Sequence, residues 1–148
     1  MHAYNTTILL VEDNPDDEAL ALRALKKTEI QNDVIVARDG QEALDYVFAE
    51  GKFEGRDIND CPRLILLDIK LPKLSGLDVL KNIRKDNRTQ LIPVVLLTSS
   101  DEARDMIEGY RSGANSFISK PVDFNEFVNQ VKTLGKYWLG INKTPYTH

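Results

Sequence analysis

A doubly wound α/β fold, one parallel sheet of five strands with five helices in a single domain, is what this sequence predicts. Three observations predict it. Short apolar runs alternate five times with longer segments of helical period. The runs are apolar at successive positions, as strands are when helices cover both faces of a sheet. Right-handed crossovers between parallel strands leave few other ways to arrange such a chain.

The first run, Ile8-Leu9-Leu10-Val11, ends in Glu12-Asp13. Asn14-Pro15-Asp16-Asp17 then reads as a helix start, with Asn14 as cap, Pro15 in the first position and carboxylates on the positive end. Leu22 and Leu25 give this helix its core side, and Lys26 and Lys27 suit its negative end. A second strand, Val34-Ile35-Val36, meets the turn signal Asp39-Gly40, after which Ala43, Leu44, Val47 and Phe48 recur at helical spacing. Residues 50–63 are rich in Gly, charge and Asn, and read as a solvated surface loop. A third strand, Leu64-Ile65-Leu66-Leu67, ends at Asp68. A third helix starts near Ser75-Gly76 and carries Leu77, Leu80 and Ile83. The fourth strand, Val94-Val95-Leu96-Leu97, ends in Thr98-Ser99-Ser100. Asp101 can cap a fourth helix bearing Met106, Ile107 and Tyr110, which Gly113 closes. Phe117-Ile118 is a short fifth strand ending at Ser119-Lys120-Pro121. Asp123 then caps a fifth helix with the apolar stripe Phe124, Phe127, Val131, Leu134 and Trp138.

Composition narrows the chemistry. The chain has 148 residues, 42% of them hydrophobic. A domain of this mass removes roughly 70% of its extended-chain surface from water, enough for a core without metal or disulfide staples. With 19 basic and 23 acidic side chains the formal charge is −4, which argues against a nucleic-acid-binding surface. The only histidines are His2 and His148, so neither a Ser–His–Asp triad nor a multi-histidine metal site is expected. The single cysteine, Cys61, stands beside Pro62 and reads as a small apolar residue. No apolar run approaches the roughly 20 residues that cross a bilayer, and no secretion signal opens the chain, which points to a cytoplasmic protein with no membrane contact.

In a sheet of this kind ligands sit outside the carboxyl ends of the strands. Polar residues gather there: Glu12 and Asp13 after the first strand, Asp68 after the third, Thr98 after the fourth and Lys120 after the fifth. Carboxylates converging on one edge repel one another unless a cation relieves them. All-oxygen donors without imidazole or thiolate suit Mg²⁺ (or Mn²⁺). Beside such an ion a carboxylate can attack phosphorus and become an aspartyl phosphate. Lys120 then supplies a second positive charge and Thr98 a hydroxyl for a phosphoryl oxygen. Asp16, Asp17 and Glu18 read instead as helix-start carboxylates facing water.

The segments Val11-Glu12-Asp13-Asn14, Leu66-Leu67-Asp68, Leu97-Thr98-Ser99 and Lys120-Pro121 resemble the receiver domain of two-component response regulators, a flavodoxin-like (CheY-like) fold. The resemblance spans about residues 7–138, leaving 139–148 as a short extension of one domain, 1–148. It implies that Asp68 accepts a phosphoryl group from a sensor histidine kinase. It also implies that Glu12, Asp13, Asp68 and the backbone carbonyl of Lys70 surround the metal, with Glu12, where Asp is commoner, reaching it through water. By the same resemblance Thr98 is the switch hydroxyl, Phe117 the switch aromatic, and the bond before Pro121 is cis, aiming Lys120 at the site. Asn14-Pro15-Asp16-Asp17, Asp39-Gly40-Gln41-Glu42-Ala43-Leu44-Asp45, Gly113-Ala114-Asn115 and Trp138-Leu139 look like stand-alone regulators paired with bacterial phytochromes. Tyr137-Trp138-Leu139 exceeds what a core needs and hints at a homodimer contact.

Two other classes are weighed against this one. A haloacid-dehalogenase-like phosphatase normally carries a carboxylate two residues after its nucleophile, where this chain has Lys70. A flavin or nucleotide carrier would need a phosphate-cradling loop, and neither GxxxxGK[ST] nor GxGxxG occurs.

Overall fold

The computed structural model describes residues 7–28, 31–99, 103–120, 123–143 and 145. Five strands, β1 (Thr7–Val11), β2 (Asp33–Ala37), β3 (Leu64–Asp68), β4 (Val94–Thr98) and β5 (Ser116–Ser119), form one parallel sheet in the order β2-β1-β3-β4-β5. The helices are α1 (Pro15–Lys26), α2 (Gly40–Val47), α3 (Gly76–Lys85), α4 (Ala103–Arg111) and α5 (Phe124–Lys136). The expected fold class is therefore the observed one, with each strand one or two residues longer than its apolar run.

Strand parity divides the core into two layers. Leu9, Val11, Ile65, Leu67, Val94 and Leu96 face α2 and α3, meeting Ala43, Val47, Val79, Leu80 and Ile83. Ile8, Leu10, Leu64, Leu66, Val95 and Leu97 face α1 and α5, meeting Ala21, Ala24, Leu25, Phe127, Val128 and Val131. Consecutive strand residues feed opposite layers, so apolar residues at every position are a requirement of this arrangement.

The helix starts follow their side chains. Asn14 accepts from the amides of Asp16 and Asp17, Ser75 from Asp78 and Asp123 from Glu126. Asp39, read above as part of a turn, is the cap of α2 and accepts from the Glu42 amide at 2.7 Å. Gly113, at φ +105°, follows α4 as expected. Asp101, the expected cap of α4, and Pro121, with its expected cis bond, lie outside the described residues.

Four local features go beyond the sequence reading. Met106, Ile107 and Tyr110 are exposed on α4. Phe124 is 40% exposed, because it stands at the open end of α5 with the Arg23 guanidinium 5.3 Å above its ring. Trp138 belongs to a π-helical turn, Tyr137–Ile141, that continues α5. This turn is held from the opposite end of the sheet, because the Arg63 guanidinium donates to the carbonyls of Trp138 and Asn142 at 3.1 and 3.2 Å. Finally, residues 50–60 are mostly exposed, as expected of a surface loop, but the stretch is anchored to the fold at a few points. The Tyr46 ring meets Phe53 edge-on at 5.1 Å and carries Arg56 4.1 Å above it, and Cys61 is buried.

Two outcomes follow from this packing. A Cβ on Gly76 would lie 2.1 Å from the carbonyl oxygen of Asp68, a backbone atom that ends β3. Gly76→Ala should therefore destabilise the fold by about 1–3 kcal/mol in urea titrations, the usual cost of overpacking. Burial pushes the Cys61 thiol up from 9.0 to about 11. The folded form keeps the thiol proton longer, so this contribution to stability is complete below pH 9.0 and lost as pH rises through about 11. At pH 8 a thiol reagent should react with the folded protein far more slowly than with the urea-unfolded chain, as followed by mass.

Candidate phosphoryl-acceptor and cation site

The winding of the sheet reverses between β1 and β3, which opens a crevice at the carboxyl ends of those strands. Parity decides what enters it. Continuing the series Ile8, Leu10 brings Glu12 to the α1/α5 side, Leu64, Leu66 brings Asp68, and Ile118 brings Lys120. The ladder extends past β5, where the Lys120 amide donates to the Thr98 carbonyl at 2.7 Å. Three side chains from distant parts of the sequence thus share one face of one edge.

There the Lys120 ammonium bonds three carboxylates: Glu12 at 2.5 Å, Asp17 at 2.9 Å and Asp68 at 2.9 Å. Its side chain is 11% exposed, and those of Glu12 and Asp68 are 2% and 8% exposed. Burial works to lower the Lys120 pKa, but the hydrogen bonds it donates to Glu12, Asp17 and Asp68 outweigh it and hold the ammonium charged above its ordinary range. Burial pushes the Glu12 carboxyl up to about 7, aided by the Asp68 charge and opposed by Lys120. The backbone braces the same groups. The Asn14 amide donates to Glu12 Oε1 at 3.1 Å, and the Lys70 amide to Asp68 Oδ1 at 3.1 Å.

Glu12, Asp13 and Asp68 each offer an oxygen lying within 4.8 Å of the other two. Two of these residues are buried and Asp13 is exposed, so the cluster opens to solvent on one side. An all-oxygen set with one open side fits a hard divalent cation that keeps part of its water. The residues present thus suit the cation that the sequence implies.

Thr98 and Phe117 belong to the other layer. Thr98 continues the series Val94, Leu96 and is completely buried. Phe117 is half-buried against the same layer, beside Gly109 of α4, whose lack of a Cβ leaves room for Leu96. The edge therefore joins a carboxylate–ammonium cluster on one face to a hydroxyl and an aromatic on the other.

Sequence reasoning missed Asp17. It was expected to face water with Asp16 and Glu18, yet it reaches Lys120. The signal lay in the helix start, since a cap at Asn14 and Pro15 at the first position fix where the third residue of the helix stands. Glu18 pairs with Arg38, its carboxylate accepting two guanidinium bonds at 3.1 Å.

Comparisons with known proteins converge on one description. A family model described as the response regulator receiver domain matches residues 8–132. The probable methanogenesis regulatory protein FilR2 of Methanothrix harundinacea is 40% identical over 139 residues, covering 93% of this chain and 86% of that protein. The structure of the phosphorylated cyanobacterial phytochrome response regulator RcpA aligns with a TM-score of 0.88 at 35% identity, over 95% of this chain and 99% of that one. The Mn²⁺-bound form of response regulator Rcp1 aligns with a TM-score of 0.87 at 34% identity, over 95% and 99% of the two chains.

Removing the ammonium should expose the stress that it relieves. Lys120→Ala leaves buried carboxylates facing one another and should cost about 3 kcal/mol in divalent-free buffer. Added Mg²⁺ should restore more stability to this variant than it adds to the parent, measured by thermal unfolding with and without the ion.

Proposed function

This chain belongs to the response regulator receiver domain family, the phosphorylation-dependent modules of two-component signalling, and on that premise we propose that Asp68 is its phosphoacceptor. The observation that carries the assignment is the Asp68 carboxylate 2.9 Å from the Lys120 ammonium, with Glu12 and Asp13 alongside. An Asp68 oxygen attacks the phosphorus of a phosphohistidine on the partner kinase. The P–N bond breaks, the imidazole leaves with its electron pair, and an acyl phosphate forms on Asp68. Glu12, Asp13, Asp68 and the Lys70 carbonyl would hold Mg²⁺ (or Mn²⁺), which would draw charge from the transferring group. The Mn²⁺-bound relative supports a divalent ion, and the hard oxygen donors support Mg²⁺ in its place.

Lys120 is placed to follow the negative charge from carboxylate to phosphoryl oxygen. Thr98 supplies the hydroxyl for a phosphoryl oxygen, and Phe117 follows Thr98 within the shared layer. That movement alters the surface around α4, where Met106, Ile107 and Tyr110 are exposed. The output is then a changed affinity for another protein, a two-state shift driven by one charged group. Likeness to the phytochrome regulator RcpA supports a phytochrome-type histidine kinase as phosphodonor. Exposed Tyr137 and Ile141 beside half-buried Trp138 support a homodimer contact at the end of α5. Among the described residues no helix is long and apolar enough to cross a membrane.

Incubation with acetyl phosphate and Mg²⁺ should add one phosphoryl group that hydroxylamine removes, read by intact mass. Asp68→Asn should abolish the addition, and persistent labelling would move the nucleophile elsewhere. Lys120→Ala should bind Mg²⁺ yet label about 100-fold more slowly, the loss typical of removing one charge-stabilising group. Phosphotransfer profiling against histidine kinases, phytochromes among them, identifies the donor by the fastest transfer.

A further inference from the structure

Lysine has three N–H donors, and Lys120 has placed one on each of three carboxylates. The three acceptors are not alike. Glu12 and Asp68 belong to the oxygen cluster that suits a divalent cation. Asp17 lies outside that cluster, on the first turn of α1, and its side chain is 30% exposed against 2% and 8% for the other two. A cation entering the cluster competes with the ammonium for the oxygens of Glu12 and Asp68, and the two positive charges repel. The ammonium then needs an acceptor that the cation does not use. Asp17 is in place for this because Asn14 accepts from the Asp16 and Asp17 amides and Pro15 starts the helix, so the turn is held by contacts that do not involve Lys120.

We propose that Asp17 is a positioning residue that gives Lys120 an acceptor outside the cation-binding carboxylates and so sets the affinity of the site for a divalent ion. This rests on the reading of Glu12, Asp13 and Asp68 as the cation's ligands. It separates two neighbours that look equivalent in the sequence. Asp16 precedes Asp17 on the same turn with the same charge, but it is exposed and Asp17 alone of the two pairs with Lys120. Without Asp17 the ammonium can be neutralised only by Glu12 and Asp68, and the ion must displace it from both.

Calorimetric titration of the unphosphorylated full chain with MgCl₂ tests this. Asp17→Asn should raise the Kd for Mg²⁺ about three- to tenfold, the effect of one partly buried ion pair. Asp16→Asn should leave it within about twofold, since an exposed carboxylate is screened. Asp17→Glu keeps a carboxylate for Lys120 and should recover most of the affinity. In a Lys120→Ala background Asp17→Asn should have no further effect, because there is no ammonium left to hold. An unchanged Kd for Asp17→Asn overturns the proposal. An equal weakening in both backgrounds also overturns it, because Asp17 would then act on the ion by its own charge. Equal weakening by Asp16→Asn and Asp17→Asn has the same meaning. If the parent protein itself takes up no Mg²⁺, the cation site fails and the role of Asp17 fails with it, a result distinct from the others. Thermal unfolding of each variant separates loss of affinity from loss of fold.

Discussion

Repulsion among carboxylates at one edge of the sheet is the constraint around which this chain is built. Glu12 and Asp68 are both buried there, and two buried carboxylates side by side are costly without a cation within contact distance. Lys120 meets that need from the far end of the sequence, 108 residues beyond Glu12 and 52 beyond Asp68. The sheet order explains how it reaches them. β1 and β3 are neighbours, β4 and β5 follow, and the Lys120 amide is tied to the end of β4. A long side chain from the edge strand can therefore arch back to the centre. The arrangement is stable with one ammonium, yet it offers oxygens that a harder, doubly charged ion can also use.

Most of the architecture was legible because its signals are local. Uninterrupted apolar runs announced buried parallel strands, and Asn14, Ser75 and Asp123 announced helix starts. Asp39 shows the limit of such signals, since Asp-Gly marks a turn in one context and a helix cap in another. Which apolar residues stay exposed was not legible on α4. Met106, Ile107 and Tyr110 have the spacing of a core stripe, and only the limited cover over α4 and β5 leaves them in solvent. Residues 50–60 are the exposed loop that their composition suggests, but composition did not reveal the contact of Phe53 with Tyr46 of α2. At the site, Glu12, Asp68 and Lys120 could be read from their positions at strand ends. Asp17 could not, because a carboxylate on the first turn of a helix already has a sufficient reason to be there.

The two faces of the edge divide the labour. Charge chemistry sits with α1 and α5, where Glu12, Asp68 and Lys120 meet. Thr98 and Phe117 sit with α2 and α3, joined to the first group by the hydrogen bond from Lys120 to the Thr98 carbonyl. The two groups meet at the strand ends, whereas the apolar layers between them are closely packed and resist small displacements.

Gly76 adds a mechanical consequence. Its α-carbon stands so close to the end of β3 that the chain between them has no slack. The Gly76 amide also closes on the Ile69 carbonyl at 2.8 Å, while Gly40 and Asp39 grip Pro72 and Lys73 from α2. The loop after Asp68 is a stiff bracket, an anvil rather than a spring. A change of shape set off by charge at that edge therefore meets little give in this loop and has its freer surface at α4, whose Met106, Ile107 and Tyr110 face solvent.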